Sequence, residues 1–279
     1  MRIGIRAHDV KADNFEGLVS EIAAEGFHCC QLAVPKAVHD FPTGIETYTP
    51  GLASWMKEIF AENHVDVGVL GCYYNLATPD EEEYRRTLNV YKRHIAFASW
   101  IGAGMVGTET GNVNRAYVPD AYSRTDEALD FFIDRLRPVV ETAEKYGVTV
   151  AIEPVCRHIV WSAGRARKVL DTIASPNLQL IFDPVNLLDR TNVGEYQKII
   201  GNFIDLCGPD IVAVHAKDFR MEDGELKECA CGQGQMDYSV LLPFLAKHKP
   251  HIQVLLENTT SQTAVSARKY LEKQYRAFA

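Results

Sequence analysis

Four side chains able to bind a metal recur at the same kind of place. Glu153 closes "TVAIEPV", Asp183 lies in "LQLIFDPVN", His215 in "IVAVHAKD" and Glu257 in "IQVLLENT". Each follows an apolar run of strand length, at nearly the same depth, on four successive runs. Three carboxylates held together in a low-dielectric cleft repel one another and drive their pKa values up. A divalent cation removes that penalty and turns the cluster into a ligand set. Three oxygens with one imidazole suit a hard-to-borderline ion: Mn²⁺ leads the expectation, with Mg²⁺ or Co²⁺ behind it. Zn²⁺ more often takes additional nitrogen or sulfur, and stays on the slate. Singly, each residue has a plainer reading. A strand-end acid is ordinarily a helix cap or a loop ion-pair partner, and Asp183 could cap the turn into "VNLLDR". That reading covers one position and leaves the coincidence on four runs unexplained.

Eight apolar runs supply the positions: 2–8, 28–34, 65–72, 104–111, 149–155, 178–186, 211–218 and 252–259. Their near-continuous apolar character predicts strands buried on both faces, as in a parallel sheet. Amphipathic segments alternate with them. "DNFEGLVSEIAAEGF" offers Asp13 or Asn14 as N-cap and Gly26 as its stop, and "DEALDFFIDRLRPVVETAEKYGV" ends at Gly147, with Pro138 expected to kink or divide it. The uninterrupted rhythm predicts a single (β/α)8 TIM barrel over residues 1–279. A doubly wound open sheet is the alternative, but no GxGxxG follows the first run. The longest irregular pieces, 35–48 and 219–237, both follow strands and belong at the C-terminal mouth, where such barrels carry their chemistry.

The bulk composition narrows the function classes. The 279 residues carry 29 basic and 37 acidic side chains, a net charge of −8, which disfavours wide contact with a phosphate backbone and predicts no nucleic-acid partner. No apolar run approaches the ~20 residues of a membrane span, and no leader-like segment opens the chain, so no membrane partner is expected. The seven cysteines form no CxxC pair. Cys229 and Cys231 hint at a soft-metal site but lack a partner pair, and reduced thiols in the cytoplasm are the expectation.

"AIEPV.R", "FDPVN", "VHAKD", "GQGQMD" and "LLEN", in that order and spacing, resemble the xylose-isomerase-like barrels of the sugar phosphate isomerase/epimerase family. The resemblance spans essentially the whole chain and is strongest from residue 149 onward. It implies one divalent metal ion held by Glu153, Asp183, His215 and Glu257, in agreement with the strand-end reading. It also implies a carbohydrate substrate, α-proton removal through a metal-stabilised enediolate, and Glu153 with Glu257 as the acid–base pair. Asn186, His158, Glu109, Arg220, Lys217 and His8 are the candidate substrate contacts. For His8 a polar cap at the rim competes with that role, and for the neighbouring Arg157 an ion pair beneath the carboxylates does. Lys217 and Asp218 alternate in direction, so at most one of them faces the site. Gly232 and Gly234 most simply let their loop turn sharply.

Two positions depart from the ketose epimerases of that family. Asn186 stands where they carry a substrate-contacting histidine, and Ile159 where they carry a further glutamate. Both losses fall on substrate contacts while the ligand set stays whole. They open a rival, a sugar or inositol dehydratase or lyase in which the same α-proton removal leads to β-elimination. A non-catalytic sugar-binding barrel is the third reading. The apurinic-endonuclease branch would need a histidine at position 186 and another before the glycine pair, where "KECACGQG" has neither. Pairing into a homo-oligomer is open, with "FPTGIETYTPG" as a candidate segment.

Overall fold

The computed structural model describes residues 1–278. Its strands are β1 (Arg2–Arg6), β2 (Cys29–Leu32), β3 (Asp66–Gly71), β4 (Met105–Glu109), β5 (Thr149–Glu153), β6 (Leu178–Phe182), β7 (Ile211–Ala216), β8 (Asp218–Glu222), β9 (Glu225–Cys229) and β10 (Gln253–Leu256). The helices are α1 (Phe15–Ala24), α2 (Val34–Ala37), α3 (Pro50–Glu62), α4 (Glu81–Ile101), α5 (Asp126–Tyr146), α6 (Ala163–Ile173), α7 (Tyr196–Cys207), α8 (Leu241–His248) and α9 (Ala264–Tyr275). Eight parallel strands close in the order β1-β10-β7-β6-β5-β4-β3-β2, so the fold is the (β/α)8 TIM barrel. All eight apolar runs became barrel strands.

The two-residue period of a strand explains the placement of the polar groups. Cys29, Val69, Ala151, Ile181, Ala213 and Leu255 form a separate buried cluster that plugs the barrel. Gly4 and Gly107 complete this layer because nothing larger fits. A Cβ on Gly107 would lie 2.5 Å from Val69 Cγ1 and 2.7 Å from Ile181 Cδ1, and one on Gly4 2.3 Å from the Cys29 carbonyl oxygen. Two residues further along the same strands stand Arg6, Gln31, Gly71, Glu109, Glu153, Asp183, His215 and Glu257. The polar set is therefore the layer above an apolar plug.

The helix expectations are met in part. Pro138 does not divide its helix: α5 runs unbroken through it. Burial of Leu129, Phe132, Ile133, Leu136, Val139 and Val140 along one face outweighs the single backbone bond that proline removes. Asn14 is the N-cap of α1, its side chain accepting from Gly17 N, and Gly26 follows the helix at φ +82°.

The 219–237 piece is also not irregular. Its first half is the antiparallel hairpin β8–β9, turned by Asp223 (φ 53°) and Gly224 (φ 79°). Positive φ at both central residues is the type I′ geometry that Asp-Gly favours. Its second half wraps a carboxylate. Asp218 Oδ2 accepts from Gly232 N (3.1 Å) and Gly234 N (2.9 Å), while Oδ1 accepts from Met236 N (2.7 Å) and Phe219 N (2.8 Å). Those donors are engaged by Asp218. A Cβ at Gly234 would lie 2.2 Å from the Phe219 carbonyl oxygen and 2.3 Å from Asp218 Oδ1. Gly234→Ala is therefore expected to cost about 1–3 kcal/mol by overpacking, read as a melting temperature several degrees lower. An unchanged melting curve would show that the loop can open without loss.

Candidate metal centre

The floor of the mouth is formed by Asp183 and His215, both 0 % exposed, with Glu153 at 2 % and Glu257 at 7 %. Ligand atoms of Glu153, Asp183 and His215 all lie within 4.8 Å of one another. Glu257 joins them, its Oε1 lying 3.3 Å from His215 Nδ1, with Glu153 Oε2 at 3.2 Å from the same nitrogen. Asp183 has one carboxylate oxygen engaged in the turn and the other left over. Its Oδ1 accepts from the backbone N–H groups of Val185 (2.8 Å) and Asn186 (3.1 Å), capping the turn. Its Oδ2 is buried without a hydrogen-bond partner.

The surrounding side chains fix the cluster. His215 Nε2 donates to Gln31 Oε1 at 2.6 Å, and Gln31 Nε2 donates to the Tyr73 hydroxyl at 2.5 Å. With its proton on Nε2, the imidazole turns Nδ1 toward the carboxylates. Asn186 bridges the cluster, donating from Nδ2 to Glu153 Oε1 (2.6 Å) and accepting from Lys217 Nζ (2.7 Å). Lys217 Nζ also lies 3.3 Å from Asp183 Oδ2, 3.3 Å from Glu228 Oε2 and 3.4 Å from Glu257 Oε2. Arg6 Nη1 approaches Glu257 Oε1 at 3.6 Å and is itself held by Asp9.

These contacts set the protonation states. Burial pushes the Asp183 carboxyl up to about 7, with Lys217 opposing and Glu257 and Glu153 adding to the rise. Burial works against charge on His215 too, but Glu153 and Glu257 overcome it and lift the imidazole to about 9. Burial also opposes ionisation of Glu257, yet His215, Lys217 and Arg6 together hold it near 2. Lys217 is raised, burial being outweighed by Asp183, Glu257 and Glu228.

The donors fit a metal ion. Two buried atoms without hydrogen-bond partners, Asp183 Oδ2 and His215 Nδ1, belong to residues whose ligand atoms face one another and the Glu153 carboxylate. Buried polar atoms are seldom left so, and a place kept for an ion is one standard reason. Three carboxylates and one imidazole could hold a divalent cation, with Gln31 orienting the imidazole. Gln31→Leu removes the acceptor for His215 Nε2–H. It is expected to weaken metal binding about 10–100-fold, the usual size of an outer-partner loss. Calorimetric titration of the metal-stripped protein with Mn²⁺ checks this, and unchanged affinity would remove Gln31 from the site.

A cavity of about 390 Å³ opens above the floor, lined among others by Arg6, His8, Gln31, Lys36, Tyr73, Glu109, Tyr117, Asn186, Lys217 and Glu257. Of the sequence candidates, Asn186, Lys217, Glu109 and His8 line it. Glu109 accepts from the Tyr117 hydroxyl (3.2 Å), and burial, then Glu153, raise its carboxyl to about 7. His8 is half-buried, its Nδ1 without a partner, and burial followed by Arg6 lowers its pKa.

Two candidates are placed elsewhere. His158 is buried beside Glu109, Nδ1 3.6 Å from Glu109 Oε2 and its ring edge-on to Tyr117, outside the cavity wall. Burial, then Arg157, lower it to about 4, so it is neutral at neutral pH. Arg220 is exposed on β8 and donates to the Gln233 carbonyl, since the outward side of the hairpin is where its position falls. Ile159 is fully buried in the hydrophobic core and does not line that cavity. Of the pair in question, Lys217 faces the site and Asp218 the loop. Sequence reasoning passed over Gln31, Tyr73, Arg6 and Glu228. Cys229 and Cys231 form no metal cluster among the described residues, and Cys231 Sγ lies 3.0 Å from the Tyr238 hydroxyl instead.

Comparison with known proteins bears on the fold and the family. A probable L-ribulose-5-phosphate 3-epimerase of Mycoplasma pneumoniae is 25% identical over 155 residues, 52% of this chain and 48% of that one. The crystal structure of a D-tagatose 3-epimerase-like protein superposes with a TM-score of 0.79 at 18% identity, covering 100% of this chain and 98% of that one. That of the IOLI protein with a bound zinc atom gives 0.76 at 18% identity, covering 100% and 99%. At these identities the structural likeness concerns the fold. The family profile described as xylose isomerase-like TIM barrel matches residues 19–276, and the chain belongs to that family.

Proposed function

We propose that the protein is a divalent-metal-dependent isomerase or epimerase that moves a proton on the carbon beside the carbonyl of a ketose or related polyol. One observation carries the reading. Glu153 on β5 and Glu257 after β10 reach the same imidazole nitrogen from strands separated by β6 and β7 in the ring. Two carboxylates on different sides of one floor suit proton removal from one face of a substrate and delivery to the other or to a neighbouring carbon. The cavity wall supports a polyhydroxylated ligand, because its carboxylates, amides and cations offer hydrogen bonds and little apolar surface.

A bound cation, Mn²⁺ by the hard-to-borderline character of the donors, would supply Lewis acidity at the substrate carbonyl. The rest is done by the chain. Glu257, held ionised by His215, Lys217 and Arg6, starts as the base. Glu153, anchored by Asn186, faces it as the partner that returns the proton. Lys217 and Asn186 hold the substrate's hydroxyls, while Glu109 and His8 bound it on the far wall. We place this enzyme in the cytoplasm, where seven free thiols stay reduced, and take residues 1–279 as one domain.

The test is proton exchange. Metal-supplemented protein is mixed with ketoses in D₂O and followed by NMR. Deuterium entering the carbon beside the carbonyl, with an epimer or an aldose appearing, is the expected result. Loss of water from the sugar would identify the lyase instead. Binding without exchange on any ketose would leave a sugar-binding barrel and end the isomerase reading.

A further inference from the structure

A second cavity, about 680 Å³, adjoins the 390 Å³ one, and Arg157, Asn186 and Glu228 belong to the walls of both. Asn186 is the residue that anchors Glu153, so the second chamber begins beside the proposed acid–base pair. Its lining differs in kind from that of the first. Val155, Leu188 and the hairpin's Leu226 give it an apolar surface. Two of its four cations are engaged: Arg124 donates to the Cys156 carbonyl and stacks on Trp161, and Arg190 pairs with Glu225. Arg157, at the junction, and Lys227, on the hairpin, are exposed and without a hydrogen-bond or ion-pair partner among the described residues.

Two kinds of substituent could extend from a sugar into such a space. A phosphate needs several free donors in a compact cradle; here the two free cations, Arg157 and Lys227, are exposed, and Asp189, Glu225 and Glu228 bring negative charge to the same wall. A second ring needs apolar surface for its face and scattered polar groups for its edge, which is what this lining offers. Resting on the isomerase reading above, we infer that the substrate is a keto-sugar joined through an oxygen to a second, uncharged ring. The keto-sugar lies over the carboxylate cluster, and the second ring lies in the larger chamber against Leu188 and Leu226. Arg157 spans the junction and hydrogen-bonds the linkage region.

Calorimetric titration of the full, Mn²⁺-supplemented protein tests this with four probes: D-fructose, D-fructose 6-phosphate, and the fructose-containing disaccharides isomaltulose and lactulose. At least one disaccharide is expected to bind about tenfold or more tightly than D-fructose, a difference equilibrium titration resolves readily. Leu226→Trp, on the exposed hairpin, fills the chamber and is expected to cancel that gain while D-fructose affinity stays within about twofold. Arg157→Ala, a truncation at an exposed position, is expected to weaken the disaccharide more than D-fructose. The inference is overturned if neither disaccharide gains over D-fructose, if D-fructose 6-phosphate binds most tightly, or if both variants leave the gain intact. The two readings fail separately. A disaccharide gain without deuterium exchange keeps the chamber and removes the isomerase. Exchange on D-fructose without a disaccharide gain keeps the isomerase and removes the chamber.

Discussion

Asp183→Ala is expected to abolish stoichiometric metal binding. The wild-type protein, dialysed and analysed for Mn, Co, Mg and Zn, should carry about one ion per chain when supplied with it, and the variant none. The affinity loss should exceed the 10–100-fold typical of outer partners, because a ligand itself is removed. Thermal melting gives a second readout. An ion present at 100 times its dissociation constant stabilises the folded state by about 2.7 kcal/mol, so a chelator should lower the wild-type melting temperature and leave the variant's unchanged. Alanine also deletes the cap on the Val185 and Asn186 N–H groups, which lowers stability by itself. Asp183→Asn separates the two effects, since its carbonyl oxygen still accepts those bonds while its charge is gone. One ion per chain retained in both variants would show that Asp183 is a turn cap alone.

Glu153→Gln and Glu257→Gln should each lower the rate of ketose proton exchange by about 10²–10⁴-fold, the usual worth of a positioned acid or base. Glutamine keeps the shape and one oxygen, so the fold should survive, which far-ultraviolet circular dichroism and the melting curve confirm. The two variants need not be alike. Glu257 is pulled toward ionisation by three cationic groups, and its removal leaves His215, Lys217 and Arg6 facing one another with less negative charge between them. Its variant should therefore lose more stability than that of Glu153. Full exchange activity in either variant would remove that residue from the acid–base pair.

The clustering of Glu153, Asp183, His215 and Glu257 was legible because each closes a run whose apolar character says strand, and a strand fixes direction every second residue. Ala151, Ile181, Ala213 and Leu255 stand two residues before the four candidate ligands, so the side chains that plug the barrel announce which ones cap it. The same count decides for Lys217 over Asp218. Gln31 escaped because a barrel strand is buried on both faces. A polar residue inside "HCCQLAV" carries no mark of which side it takes, and its partner His215 is 184 positions away. Arg220 and His158 were assigned by adjacency to a ligand, which says nothing about direction once the chain leaves the strand. The hairpin was legible and was passed over. Asp223-Gly224 between Glu222 and Glu225 is a strong two-residue turn signal hidden in a charged stretch.

Closure of the barrel between β1 and β10 sets an order on folding. It pairs Arg2 with Gln253 and Ile5 with Leu256, the most distant strand partners in the chain. Contacts of such sequence separation form late, because the entropy of closing so long a loop must be met before they contribute. Glu153, Asp183 and His215 sit on three strands adjacent in sequence and in the ring, and can assemble while the last strand is still being synthesised. Glu257 arrives only with β10, as do its contacts to Arg6 and the hydrogen bond from Thr259 to Asp9. The full ligand set thus exists only in chains that have closed. A metal ion that needs all four donors distinguishes finished molecules from nascent ones.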